Sequence, residues 1–125
     1  MRTLTGLTRV TGALLVLAAG ALHLYLYFDY FHRVHVIGVL FLLNMAAATV
    51  IGFTLLLSSR LSVLAAGILY SAGTLGAFFL SVYHGMFGYV EHLTGPWQEA
   101  VGGVEVAAIV TLLPLVVAAA SGGWG

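Results

Sequence analysis

The sequence predicts an all-α fold, a polytopic four-helix transmembrane bundle, and three observations carry that expectation. First, only 6% of the 125 residues are charged and 62% are hydrophobic, with mean hydropathy +1.11. A soluble domain carries about 25% charged residues, and one so poor in them would expose broad apolar patches and aggregate. Second, the apolar residues gather into four runs, each near the ~20 residues that cross ~30 Å of hydrocarbon. Third, the four arginines are scattered, lysine does not occur and net charge is zero, so no basic patch exists for nucleic acid. Cysteine is absent, which removes disulfides, thiolate catalysis and sulfur-ligated clusters from consideration.

The first run covers residues 7–28. Arg2 and Arg9, followed by apolar residues and small residues near positions 18–21, imitate a signal peptide. The run is long enough to read as a first transmembrane helix instead. The second run, 36–57, and the third, 61–83, are separated by Ser58, Ser59 and Arg60 alone, which forces a tight antiparallel hairpin. The fourth, 101–120, follows a connection over 85–100 whose Gly88, Gly95 and Pro96 mark a loop. Helices joined by short links give an up-down-up-down bundle. Arg2, Arg9 and Arg60 share one side and Arg33 stands on the other, so the positive-inside tendency puts both termini in the cytoplasm of a prokaryotic plasma membrane.

On that map every histidine and every acid lies toward the non-cytoplasmic side. Asp29, His32 and His35 recur every third residue in the first outer link. On a helix, groups at i and i+3 are ~60° apart, so His32 and His35 could chelate one ion. Asp29 would extend the arc or orient an imidazole. His84, Glu91 or His92 could complete the site from across the bundle, and ligands without sulfur suit Zn, Cu, Ni or Fe. The plainer reading is that His32 and His35 sit in water and headgroups and bind nothing.

Two helical stripes give a second candidate. Gly12, Val16, Ala19, His23, Tyr27 and Tyr30 share one face of the first helix, and Ala66, Tyr70, Gly73, Ala77, Leu80 and His84 one face of the third. Both are small in the middle and polar toward the outer end. Small residues let membrane helices approach closely. Alternatively they leave room for something flat, such as a haem b gripped by His23 and His84 as axial ligands.

Glu105 stands inside the fourth helix, where a carboxylate costs several kcal/mol unless neutralised, paired or reached by water. His84 and His23 lie at comparable depth, and a Glu–His pair could bind a metal or relay protons. A protonated or water-exposed Glu105 near the interface is the plain alternative. Asn44, in the middle of the second helix, is expected to hydrogen-bond a neighbouring helix.

Over residues 36–76 a Gly-containing helix, a tight link with the lone Arg60 and an Ala/Gly-rich helix follow one another. This third of the chain resembles the small four-helix bacterial membrane proteins of the DoxX-like kind. The resemblance implies a membrane subunit, in some cases tied to quinone-linked redox systems, and assigns no site residue. Three functions stand open. One is an accessory or binding subunit with an outer-face His/carboxylate site for a transition metal or for protons. Another is a haem or quinone-linked redox carrier using His23 and His84. The last is a scaffold subunit. In each the partners are the lipid bilayer and other membrane subunits or further copies of the chain, without stand-alone catalysis.

Overall fold

A computed structural model describes residues 2–29, 33, 36–85 and 96–121 of the chain. The described residues form four helices: α1 over Arg2–Asp29, α2 over Ile37–Leu57, α3 over Leu61–Tyr83 and α4 over Pro96–Ala120. Each contains a stretch long and apolar enough to cross a membrane, namely Gly6–Asp29, Ile37–Leu57, Leu61–Ser81 and Glu99–Ala120. Outward-facing leucine, valine and phenylalanine on all four, Leu14, Val50, Leu69 and Val110 among them, give the bundle a surface suited to lipid tails rather than water.

Two boundaries differ from the sequence reading, for one reason. The length of an apolar run sets the crossing segment, whereas the backbone stays helical beyond it. Thus α1 begins at Arg2 rather than near residue 7. Likewise α4 begins at Pro96, a position that hydropathy and turn residues assign to a loop. Proline is favoured in a first helical turn because its missing N–H would be unsatisfied there anyway, and Glu99 in that turn complements the positive helix end. Pro114 lies inside α4, and the helix runs on past it to Ala120.

The helices form a ring in which α1 packs broadly on α2 and α4, and α3 on α4, while α2 and α3 touch least among neighbours. α1 and α3 barely meet across the ring. Packing is concentrated in one half. Ala13 and Val16 of α1, Ala48 and Leu55 of α2, Leu64 of α3 and Leu112 of α4 are all fully buried in one apolar cluster. Glycines let the helices close there. A Cβ at Gly20 would stand 2.6 Å from the Ala48 Cβ, and one at Gly67 would stand 2.8 Å from Leu112. Arg9 closes this end of α2 by donating from Nη2 to the Leu56 carbonyl at 3.4 Å, a cation beside a helix C-terminus.

Candidate functional site

The other half of the bundle is hollow. Beyond the packed cluster the same four helices enclose a cavity of about 500 Å³, within the range of small-molecule sites. Its polar wall is built by residues from every helix: His23 on α1, Asn44 on α2, Tyr70, Thr74 and Ser81 on α3, and Glu105 on α4. The remainder is apolar, with Leu26, Ile37, Leu40, Phe41, Phe78 and Val101 prominent.

Why the polar groups meet follows from helix geometry. His23 is six residues before the end of α1's crossing segment and Glu105 six after the start of α4's, each about 9 Å along its helix. Tyr70 and Thr74, four apart, share one face of α3 and bracket Asn44 across the α2–α3 boundary. The Tyr70 hydroxyl donates to Asn44 Oδ1 at 2.5 Å, and Asn44 Nδ2 donates to Thr74 Oγ1 at 2.6 Å. The Thr74 hydroxyl then bonds the Glu105 side chain. Three helices are thereby linked by a chain of donors running one way, Tyr70 to Asn44 to Thr74, that ends on a carboxyl group. Such chains polarise their members and strengthen one another in a low-dielectric setting.

Glu105 is 1% exposed, and while Thr74 serves one oxygen, its Oε2 has no hydrogen-bond partner. His23 is 7% exposed, and its Nδ1 lies 2.7 Å from the Ala19 carbonyl of its own helix. A carbonyl only accepts, so Nδ1 carries the proton, and in the neutral ring Nε2 presents a lone pair. The imidazole packs at a tilt against Phe41, centroids 5.0 Å apart, which holds the ring in place.

The mouth of the cavity is lateral. Of the described lining residues only Leu43 and Ala47 on α2 and Leu69 and Gly73 on α3 are exposed. These flank the least-packed boundary in the ring. A Cβ at Gly73 would meet nothing within 4 Å, so its missing side chain is open space at the mouth. The two explanations for small residues therefore divide between the helices. On α1, Gly12, Ala19 and Gly20 are buried at helix contacts; on α3, Gly73 and Ala77 face the cavity.

The sequence-derived candidates are placed as follows. His23 and Glu105 line one cavity. Asp29 ends α1 and is exposed, and His84 is an exposed C-cap on α3 outside the cavity lining, its backbone N–H bonded to the Leu80 carbonyl. His32, His35, Glu91 and His92 lie outside the described residues. Among the described residues no three histidines or acids group closely enough to hold a metal ion. Asn44 makes the interhelical bond expected of it. Thr74, Ser81, Phe41 and Phe78 went unnoticed in the sequence. The one signal for Thr74 was its place one turn beyond Tyr70 on the small-residue face. No family model, curated protein or solved structure matches the chain.

Proposed function

We propose that the chain is an integral membrane binding protein that takes a small amphipathic molecule from the bilayer into the cavity between its helices, as a binding or accessory subunit. One observation carries this reading: a cavity of about 500 Å³ whose exposed lining residues lie on α2 and α3, and whose wall includes Glu105, a buried carboxyl group with one unpartnered oxygen. A buried polar atom left unpaired costs free energy, and a ligand that pairs it recovers that cost. The apolar walls suit the ligand's hydrocarbon part, and His23 and Glu105 its polar end. In this reading the bundle is up-down-up-down with both termini cytoplasmic, on the strength of Arg2, Arg9 and Arg60, and the polar wall lies in the non-cytoplasmic half. The DoxX-like resemblance agrees with a subunit role.

The test is native mass spectrometry of the protein extracted with its native lipids, compared with Gly73→Leu. A Cβ at position 73 meets nothing within 4 Å, so a larger side chain starts from open space at the mouth. Wild type is expected to carry a stoichiometric small molecule that Gly73→Leu lacks, with both unfolding at similar temperature. Identical adduct patterns would remove the binding function.

A further inference from the structure

Resting on that reading, we propose that the cavity selects a lipophilic organic cation, an amine whose ammonium group pairs with Glu105 while its hydrocarbon part lies among the apolar walls. The acceptor atoms that two residues of the cavity wall leave uncommitted point to this chemistry. Glu105 Oε2 has no hydrogen-bond partner, and His23 has committed its N–H edge to Ala19, leaving the Nε2 lone pair. Both accept in the ionised carboxylate and neutral imidazole, so each is complemented by a ligand that donates. Of the donors in the wall, one Asn44 Nδ2 hydrogen is committed to Thr74 and the Tyr70 hydroxyl to Asn44.

Charge favours the same class. Among the described residues no arginine lines the cavity, and the chain has no lysine. A carboxyl group surrounded by hydrocarbon is neutral or is met by a cation, and among the described residues no fixed cation lines the cavity. Phe41, Tyr70 and Phe78 also line the cavity, and aromatic rings are side chains that attract alkylammonium groups. The approach is also suitable. Leu43, Ala47, Leu69 and Gly73 frame a mouth on the lipid side, where an amphipathic amine partitions, and none of the four is charged.

The probes are 4-phenylbutylamine and its neutral isostere 4-phenylbutanol, titrated into the full-length protein in lipid nanodiscs and read by saturable thermal shift. Wild type is expected to bind the amine at least tenfold more tightly than the alcohol. Glu105→Gln, which keeps the shape and the Thr74 bond, is expected to lose that preference. Gly73→Leu is expected to bind neither. Equal affinity for amine and alcohol, or an undiminished preference in Glu105→Gln, overturns the cation assignment. If both probes are still lost in Gly73→Leu, the binding function itself stands. Failure of both probes to saturate wild type also overturns the assignment, and the native mass spectra then decide the broader reading. Should Glu105→Gln not fold, the amine-to-alcohol ratio in wild type and in Glu105→Asp decides the matter.

Discussion

At the scale of single residues, the bundle contrasts positions where one methyl group is intolerable with positions where a whole side chain fits. Gly20 faces the Ala48 Cβ, which is fixed to its backbone and cannot swing aside. Gly20→Ala should push α1 from α2 and destabilise the protein by about 1–3 kcal/mol, measured by reversible unfolding in mixed micelles. Val36, just before α2, has φ of 69°, a left-handed backbone that a β-branched residue adopts only with strain. Val36→Gly is expected to raise stability by about 1 kcal/mol in the same assay, since relief of strain outweighs the added freedom of the unfolded chain. Tyr70→Phe removes the first donor of the polar chain and leaves Asn44 Oδ1 bare. Interhelical hydrogen bonds in membranes average about 0.6 kcal/mol, so a loss near that size is expected, with Thr74 and Glu105 still joined.

At the scale of helices, the α2–α3 boundary behaves differently from the other three. A three-residue link ties these helices at one end, yet their lengths pack less than any other neighbouring pair. If the ligand passes through this boundary, a bulky group placed there blocks loading without harming the fold. Because the chain has no cysteine, Leu69→Cys can be labelled at one position with a large maleimide, and Leu113→Cys, exposed on α4, serves as control. Labelled Leu69→Cys should show ligand occupancy several-fold below the control in native mass spectra, with matching thermal unfolding. Helix extents were legible only in part. Hydropathy located all four crossing segments, but Arg2 and Pro96 begin their helices outside the apolar runs, where hydrogen bonding rather than lipid solubility decides.

For the molecule as a whole, composition alone declared a lipid-facing bundle, because so few charges leave no other stable environment. The candidate site was half legible. Glu105 and His23 drew notice as ionisable groups inside apolar runs, and the structure brings both to one cavity. The repeated Asp29, His32 and His35 drew more notice for being dense in sequence, yet Asp29 is exposed and the two histidines fall outside the described residues. What no single run could disclose is whether a small residue serves contact or space. That depends on what stands opposite: Leu112 for Gly67, and nothing for Gly73.

One half of the bundle is dense and the other encloses about 500 Å³, so the two halves differ in compressibility. Hydrostatic force acts on internal void volume, which unfolding eliminates. Under kilobar loading the ligand-free hollow half should yield first, and a ligand that fills the cavity, leaving less void to lose, should raise the pressure the protein endures.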